Sequence, residues 1–369
     1  MVKCSHRLVY GHTTCSCRVP HTVKPPGRCP HCGSTRLIRK GTRRKKLEIV
    51  QLWQCKLCRR AFTPAPAELR YKTYPLRIIL DGVTLYNLGY SLPEAATKLK
   101  SRHGYNVSLS TLASWMKEHC ELTTYRRLRP QLRHLFPPTK TIRRLKLYHR
   151  QVYSFAFHRP KLALLRESRQ HARLAPLADF LERVPNDCPH ELFRESSRAS
   201  QIPNFVNRNH LIVVEKENFA TRTAALIVPT VGDNRLRHEA LQRFMLANDS
   251  VTVAVEVPIW LTAADIDALE VEYGLRLLPE GGGPRVLTGH IDFLQVRNGA
   301  VHILDYKPDA RTNKPIAQLT LYALALTRLA GLRLFDIKCA WFNEEQYCEF
   351  FPRSLLAQDR PRGGGEAGH

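Results

Sequence analysis

Two apolar segments in the last third of the sequence carry acidic residues at positions where they could hold a metal ion. Asp292 lies in a strand-like pattern over residues 288–293, and Asp305 and Lys307 end a second one over residues 301–307. Alternate side chains of a strand point to the same face, so Asp305 and Lys307 should share a face. If Asp292 lies on the neighbouring strand, two carboxylates and an ammonium group converge. Such hard oxygen ligands suit Mg²⁺ or Mn²⁺, and the predicted chemistry is metal-assisted attack on a phosphate ester.

Further chemical groups flank these two segments. A helical pattern before them carries His238 and Glu239, and the first strand of the region contains Glu256. After them, Gln318 and Tyr322 lie in the opening turns of another helix, where residues four apart share a face. An Asp-x-Lys sequence alone occurs by chance in many chains, so the interpretation depends on the order of all these elements.

This order resembles the PD-(D/E)XK nuclease superfamily, and in particular the branch typified by the RecB nuclease domain. That branch has a helix acid or histidine, a Gly-x-x-Asp strand, an Asp-Tyr-Lys strand and a Gln-x-x-x-Tyr helix, and all four occur in order across residues 235–345. The resemblance implies a mixed sheet flanked by helices. It also implies metal binding by Asp292 and Asp305, catalysis by Lys307, assistance at the metal from His238 or Glu239, and support or DNA contact from Gln318 and Tyr322.

The cysteines of this region depart from one pattern within that branch. Relatives with an iron–sulfur cluster have one cysteine before the core and three clustered after it. Here only Cys339 and Cys348 follow the core, so we expect no cluster. Two alternatives stay open at this point: a surface Asp-Tyr-Lys in an unrelated α/β domain, or a nuclease fold that has lost its activity.

Two Cys-x-x-Cys pairs near the N-terminus have the spacing of zinc knuckles. Cys29 and Cys32 form the first pair and Cys55 and Cys58 the second, with 22 residues between Cys32 and Cys55. Four thiolates complete the tetrahedral shell that structural Zn²⁺ prefers, and so small a segment needs metal to fold. The alternation over residues 47–53 predicts a strand, and hence a hairpin, between the knuckles. Four unrelated buried cysteines are the alternative, and no thioredoxin-like βαβ pattern favours a redox pair.

A second Cys/His cluster lies upstream, at Cys4, His6, His12, Cys15, Cys17 and His21. Its spacing suits a second zinc ion, but too many combinations of four ligands are available to choose among them. A basic arm with incidental thiols is the competing interpretation.

Three helices are predicted after the ribbon. Pro75–Asn87 forms the first, Ser91 and Glu94 form a capping box for the second, and Gly104 ends it before Ser108 caps the third. Two short helices joined by a Gly-containing turn are typical of a helix-turn-helix, with a trihelical bundle of other function as the alternative. On the helix-turn-helix interpretation the major groove would be met by Ser110, Thr111, Ser114 and Lys117, and phosphate by Arg102 and His103.

The N-terminal segments also resemble a known array. Residues 28–66 contain Cys-Pro-x-Cys-Gly-Ser and later Trp-Gln-Cys-Lys-x-Cys-Arg-Arg-x-Phe-Thr-Pro, which resembles the N-terminal zinc ribbon of insertion-sequence transposases. A ribbon followed by a helix-turn-helix is similar to the arrangement in those proteins. The widely spaced acidic triad that they use for strand transfer, on an RNase H-like fold, does not follow in any obvious form.

Charge divides the chain into two parts. The formal net charge is +25, and residues 1–150 contain 31 Lys and Arg against 6 Asp and Glu, so the whole excess lies there. Neutralised phosphates release condensed counterions, so the predicted partner is DNA, most simply double-stranded. A basic surface that serves only solubility is the alternative.

The composition is that of an ordinary globular chain. No run approaches about eighteen consecutive apolar residues, so we expect no membrane partner. The first residues lack the apolar stretch of a signal peptide, so we expect a cytoplasmic protein. Its eleven cysteines would then be metal ligands or buried thiols rather than disulfides. The oligomeric state is not indicated.

The sequence thus predicts a multidomain α+β protein with a zinc ribbon, a helical helix-turn-helix domain and a C-terminal α/β restriction-endonuclease-like core. The predicted segments are a basic Cys/His-rich segment (1–28), the ribbon (29–66), the helix-turn-helix (70–122), a basic and helical middle segment (123–230), the nuclease domain (231–352) and a disordered tail (353–369). Packing or solvent exposure rather than metal binding is expected for His158, His171, His190, His210, Cys120 and Cys188.

The function expected from these features is a DNA-binding nuclease with structural Zn²⁺ and catalytic Mg²⁺ or Mn²⁺, in a mobile-element, defence or repair role. One alternative is a DNA-binding regulator with an inactive nuclease-like domain. Another is an RNA-processing nuclease, because zinc ribbons also bind RNA.

Overall fold

The computed structural model describes residues 26–44, 49–63, 73–202, 205, 211–231, 234–278 and 285–356. The second Cys/His cluster from Cys4 to His21, His210 and the tail from residue 357 lie outside the described residues. The strands are β1 (Leu37–Arg44), β2 (Ile49–Cys55), β3 (Ala61–Phe62), β4 (Ile142–His149), β5 (Gln151–His158), β6 (Ser197–Arg198), β7 (Val214–Glu215), β8 (Thr252–Leu261), β9 (Leu287–Arg297), β10 (Ala300–Tyr306), β11 (Ile337–Phe342) and β12 (Tyr347–Phe350). The α-helices are α1 (Leu76–Asn87), α2 (Leu92–His103), α3 (Leu109–Glu118), α4 (Arg129–Leu132), α5 (Arg159–Glu167), α6 (Ala175–Asp187), α7 (Leu192–Glu195), α8 (Phe219–Ile227), α9 (Asn234–Asn248), α10 (Ala263–Tyr273) and α11 (Ile316–Ala330).

The segment between the two cysteine pairs forms a small antiparallel sheet in the order β1-β2-β3. Its register pairs Leu37 with Cys55, so the start of β1 lies beside the second knuckle. The hairpin predicted between the knuckles is therefore present. Most side chains of β1 are exposed, as expected for a piece too small to bury a core without metal.

Helices α1, α2 and α3 follow as a three-helix unit with its own hydrophobic core. Ser91 and Glu94 form the predicted capping box of α2, and Gly104 ends that helix in the left-handed conformation. The side chain of Ser108 caps α3 by accepting the backbone N–H of Thr111. Each such cap contributes about 1 kcal/mol to its helix. Leu112, Trp115 and Met116 of α3 are buried, as their spacing predicts.

The rest of the chain is built on a nine-stranded mixed sheet in the order β4-β5-β8-β9-β10-β11-β12-β7, with β6 beside β9. Neighbours along this path are antiparallel except β10 and β11. Strands β4 and β5 fall in the segment for which the sequence predicts helix. They form strands because Leu145 and Leu147 alternate with basic residues, and β5 then pairs with β8.

Helices cover both faces of this sheet. On one face, α5, α6, α10 and α11 build the first core, defined by buried side chains such as Leu181 and Leu324. On the other face, α8 and α9 build the second core around Met245. No α-helix among the described residues has the length and hydropathy needed to cross a lipid bilayer.

The three-helix unit packs against α9 and is hydrogen-bonded to it. Leu80 of α1 joins the second core. Asn87 donates a hydrogen bond to Asn248 over 2.9 Å, and Asn248 donates to the Thr84 hydroxyl, also over 2.9 Å. Because α9 also carries His238, one helix connects the three-helix unit with the acidic residues of the sheet.

Candidate active site

Three acidic residues meet on adjacent strands in the middle of the large sheet. The antiparallel register of β8 with β9 places Glu256 opposite Asp292, and that of β9 with β10 brings Asp305 next to Asp292. Asp305 is buried, whereas Glu256 and Asp292 are partly open to solvent. The predicted convergence of Asp292 and Asp305 is thus present in the fold.

The backbone is irregular where two of these acids face each other. Glu256 has a φ of 50°, in the left-handed region that glutamate rarely adopts. Val255 packs into the second core and Val257 into the first, although side chains two apart in a strand normally share a face. On β9, Phe293 likewise packs into the second core and Ile291 into the first. Both strands therefore change face at this pair, and unusual backbone of this kind concentrates at functional sites.

His238 completes a compact group with two of the acids. One ligand atom each from His238, Glu256 and Asp292 lies within 4.8 Å of the others. The imidazole Nε2 of His238 is 2.9 Å from Oδ2 of Asp292. Gln242, one turn further along α9, donates a hydrogen bond of 2.7 Å to Glu256, and the backbone N–H of Tyr306 donates one of 3.1 Å to Asp292. Helix α9 and strand β10 thus hold the group from two sides.

Asp305 and Lys307 form an ion pair beside this group. The ammonium Nζ of Lys307 lies 2.9 Å from Oδ2 of Asp305. The contact lacks hydrogen-bond geometry, and no other donor among the described residues bonds to this buried oxygen. This buried oxygen is paired with an ammonium group but has no hydrogen bond, and its position next to other carboxylates suits a bound cation. Together with Asp292, Glu256 and His238 it makes a donor set that fits Mg²⁺ or Mn²⁺.

Burial and mutual charge set the protonation of these groups. Burial opposes ionisation of Asp292, but its neighbours, His238 first, lower its pKa to about 2. Burial and the charge of Asp292 raise the pKa of Glu256 to about 7 and the pKa of Asp305 well above its usual range. Burial disfavours the charged form of His238, yet the surrounding carboxylates, Asp292 first, raise its pKa to about 9. The site therefore retains protons at neutral pH, and a divalent cation would displace them.

Without added Mg²⁺, the contributions of Glu256 and His238 to the stability of the protein should fall as the pH rises, between about 4.5 and 7 for Glu256 and between about 6.5 and 9 for His238. The folded-state pKa values of Glu256 and His238, about 7 and about 9, lie above their ordinary values of 4.5 and 6.5. Stability from such groups is complete below the ordinary pKa and is lost as the pH rises through the folded-state pKa. Asp292, with its pKa lowered to about 2, stays charged throughout. Thermal unfolding midpoints across this range, with and without Mg²⁺, check the prediction.

Glu256→Gln is the matched variant for this measurement, because glutamine keeps the size of the side chain and cannot ionise. Its stability should no longer fall between pH 4.5 and about 7 through this position. The decrease from pH 6.5 to about 9 that belongs to His238 should remain. Identical pH profiles for the variant and the wild type would contradict the assignment.

The strand before Asp292 packs closely against the helix that carries the Gln-x-x-x-Tyr pattern. Gln318 donates a hydrogen bond of 2.9 Å to the hydroxyl of Tyr322. The ring of Tyr322 lies directly over Gly289, where a Cβ atom would be only 2.5 Å from the ring carbon Cε1. Burial raises the pKa of Tyr322, so its hydroxyl stays neutral. In this geometry Gln318 and Tyr322 support β9.

The part of the chain that carries this site matches a known family. Residues 171–348 match the family model of the PD-(D/E)XK nuclease superfamily. The match includes α9 and β8 to β10, and it confirms the predicted superfamily for this stretch, called here the nuclease region. A nuclease-type fold follows for the nuclease region. Neither a curated protein nor a solved structure was found to match the chain.

Gly289→Ala should lower both the stability of the protein and the rate of the nucleic-acid hydrolysis that the superfamily match suggests. The added methyl group would overlap the ring of Tyr322, and overpacking of this kind costs about 1–3 kcal/mol. Gly27→Ala is the control, because nothing lies within 4 Å of a Cβ atom there. Urea unfolding and initial cleavage rates measure the two effects. If both substitutions were equally harmless, the close approach of Gly289 and Tyr322 would have no structural role.

The two residues of α9 predicted to assist at the metal, His238 and Glu239, differ in their position relative to the acidic group. His238 contacts Asp292, whereas Glu239 lies outside the three-residue group and acts on it through charge, by raising the pKa of Glu256. Glu256, noted from the sequence as an acid of the first strand, is the site residue to which the motifs assign no role. Its one signal is that it is the only acid in the apolar run 251–260.

The four predicted zinc ligands also come together. Sγ of Cys29 is 3.7 Å from Sγ of Cys58, and Sγ of Cys32 is 3.6 Å from Sγ of Cys55. Tetrahedral zinc with bonds of about 2.3 Å separates its sulfurs by about 3.8 Å, whereas a disulfide needs about 2.05 Å. The backbone N–H of His31 donates to Cys29, as in a zinc knuckle. The group is thus able to hold zinc.

The side chains predicted to contact DNA are distributed over α2 and α3. On α3 the following are exposed or half-exposed: Ser110, Thr111, Ser114 and Lys117. The hydroxyl of Ser108 lies 2.9 Å from that of Ser110 and 2.8 Å from that of Thr111, so both also stabilise the start of the helix. Arg102 on α2 forms a 3.1 Å ion pair with Asp81 and would have to leave it to reach a phosphate.

Two residues without a predicted role come together with a third. For Cys188 and His190 the sequence predicts packing or solvent exposure, because neither has a partner at metal-ligand spacing. The structure places both beside His149, with one ligand atom of each within 4.8 Å of the others. The sequence gives no sign of this group, because His149 is 39 residues from Cys188 in sequence and reaches it only through the folded β4–β5 hairpin.

Proposed function

We propose that this chain is a DNA-binding nuclease that hydrolyses phosphodiester bonds with Mg²⁺ or Mn²⁺. The observation that carries the proposal is the meeting of His238, Glu256 and Asp292 with the Asp305–Lys307 pair inside the nuclease region. Carboxylates from two neighbouring strands and an imidazole from the covering helix meet at one position, and the third strand places Asp305 next to Asp292. A structural role alone does not account for so many buried ionisable groups, because each costs free energy to bury.

A divalent cation held by Asp292 and Asp305, with Glu256 and His238 beside it, would polarise the scissile phosphate and lower the pKa of a bound water. Lys307 is charged at neutral pH, because Asp305 raises its pKa against the opposing effect of burial. Its ammonium group would stabilise negative charge on the phosphate or orient the attacking water. His238 would give up its proton as the cation binds, and Tyr322 would hold β9 in place.

The N-terminal modules would bring the nuclease region to its substrate. We assign residues 29–66 to a zinc ribbon and 70–122 to a helix-turn-helix, on their similarity to the modules of insertion-sequence transposases. The whole positive excess lies in residues 1–150, so DNA affinity would reside there. Residues 231–352 would contain the catalytic centre of a RecB-like nuclease. Double-stranded DNA is the proposed substrate, in a mobile-element, defence or repair role.

The test is cleavage by the purified full-length chain. The protein is assayed on supercoiled, linear and single-stranded DNA without added metal, with Mg²⁺ and with Mn²⁺. Cleavage that requires Mg²⁺ or Mn²⁺ is the expected result. Salt-dependent DNA binding without cleavage would instead identify a DNA-binding regulator. Competition by RNA at lower concentration than DNA would identify an RNA-processing enzyme.

A further inference from the structure

A third group of metal-ligand side chains lies outside both the cysteine quartet and the acidic site. His149 ends β4, Cys188 follows α6, and His190 comes two residues later. His149 Nε2 is 2.7 Å from Nδ1 of His190 and 3.9 Å from Sγ of Cys188. All three can contribute a ligand atom to one position, since these atoms lie within 4.8 Å of one another.

The group is open on one side. His149 and Cys188 are buried, whereas His190 is exposed. The ring of His149 stacks on Phe193 with 3.8 Å between ring centroids, which fixes the orientation of its nitrogens. A metal bound here would have two ligands held rigidly and one at the surface. It would keep an open coordination position for water, as in zinc sites with three protein ligands.

His149 also has the partner that a metal-ligating histidine usually has. Its second ring nitrogen, Nδ1, lies 2.9 Å from Nε2 of His290 on β9. Metal-bound imidazoles commonly donate this N–H to an acceptor, which leaves the other nitrogen directed at the metal. His290 is held in turn by stacking on Tyr153, with 3.5 Å between centroids. Hydrogen bonding thus directs Nε2 of His149 toward Cys188.

The loop that carries Cys188 is attached to the hairpin independently of any metal. Arg150, at the turn between β4 and β5, donates to the backbone carbonyls of Arg194 and Ser196 over 2.9 and 2.8 Å. Within the loop, the backbone N–H of His190 donates to the carbonyl of Cys188 over 2.9 Å. The ligands are therefore positioned in advance, which lowers the entropy cost of metal binding.

We propose that His149, Cys188 and His190 bind a zinc ion that fastens the β4–β5 hairpin to the nuclease region. One thiolate and two imidazoles form a borderline-soft donor set that suits zinc rather than magnesium. Nitrogens on tetrahedral zinc are about 3.3 Å apart, so His190 moves outward by a few tenths of an ångström on binding. Its exposure leaves room for that movement.

The position of this ion gives it a role for the acidic site. His290, the hydrogen-bond partner of His149, lies two residues before Asp292 on the same strand. The ion would hold β9 through His149 and His290 from one side, while Tyr322 supports it from the other. The inference stands apart from the proposed function, because it concerns metal content and not cleavage.

The first experiment measures zinc per chain in the full-length protein by elemental mass spectrometry. The variants are His190→Ala and Cys188→Ser, with His171→Ala and Cys348→Ser as controls for loss of a histidine and of a buried cysteine. We expect each of the first two to contain about one zinc ion fewer than the wild type, and the controls to be unchanged. His190 is exposed, so its removal leaves the fold intact.

The second experiment replaces zinc with Co²⁺ and records the absorption spectrum. A site with four thiolates gives stronger sulfur-to-metal charge-transfer bands than a site with one thiolate and two imidazoles. The His190→Ala difference spectrum should therefore show loss of a weak charge-transfer band, and Cys55→Ser should remove the strong one. Unchanged zinc content and an unchanged spectrum in His190→Ala would overturn the proposal. The cluster would then be a chain of hydrogen-bonded imidazoles without metal.

Discussion

Asp292→Asn should reduce the single-turnover rate of DNA cleavage by about a thousandfold or more while leaving DNA affinity nearly unchanged. Asp292 contacts the imidazole of His238 at 2.9 Å and accepts the backbone N–H of Tyr306 at 3.1 Å. Asparagine keeps the size and can still accept that N–H, but it removes the charge around which the site is organised. The effect should therefore appear in the cleavage rate, measured with Mg²⁺ in excess of enzyme and enzyme in excess of DNA.

Lys307→Met should have an effect of similar size, because it removes the cation next to Asp305 with little change in volume. The matched control for Asp292→Asn is Asp309→Asn, the same substitution at an exposed position two residues after Lys307. Fluorescence anisotropy with labelled DNA separates binding from catalysis for all three variants. If Asp292→Asn and Lys307→Met cleaved DNA as fast as Asp309→Asn, the acidic group would not be the catalytic centre.

The parts of this site that the sequence predicts are those encoded by local spacing. Asp305 lies at the end of β10 and Lys307 follows that strand directly, while Gln318 and Tyr322 are one turn apart on α11, so short-range geometry fixes each pair. Both pairs are in contact as expected. The caps of α2 and α3 and the two cysteine pairs are local in the same sense. Short-range geometry is therefore recoverable from the chain alone.

The parts that the sequence does not predict depend on distant segments. Glu256 itself adopts the left-handed conformation in the middle of β8, and a glutamate at that position gives no indication of it. Strands β4 and β5 join the sheet only through the pairing of β5 with β8, about a hundred residues later in the chain. The same hairpin carries His149 to Cys188. Long-range strand pairing thus determines both how Glu256 joins the acidic group and where His149, Cys188 and His190 come together.

The charge asymmetry leads to a second large expected effect, in DNA affinity rather than in catalysis. Replacing Lys40, Arg43 and Arg44 of β1 by glutamine should weaken DNA binding at low salt by about tenfold or more. All three side chains are exposed, and no ion pair to any of them occurs among the described residues. Each lost phosphate contact should lower the slope of log affinity against log salt by roughly one. Anisotropy titrations at several salt concentrations measure both quantities.

The matched control removes the same charge from the part of the chain after residue 150. Arg166, Arg183 and Arg311 are already paired with carboxylates, at 2.8, 3.7 and 2.9 Å, so their replacement by glutamine should change the salt slope little. Equal losses of affinity in the two triple variants would mean that net charge alone, and not the ribbon, attracts DNA.

Both triple variants are made in the full chain, because Asn87 of the three-helix unit is hydrogen-bonded to Asn248 at the end of α9. Deleting the N-terminal modules would expose the helix that holds His238 and so disturb catalysis together with binding. In the β1 variant the acidic site is untouched, so cleavage at saturating DNA should keep the wild-type rate.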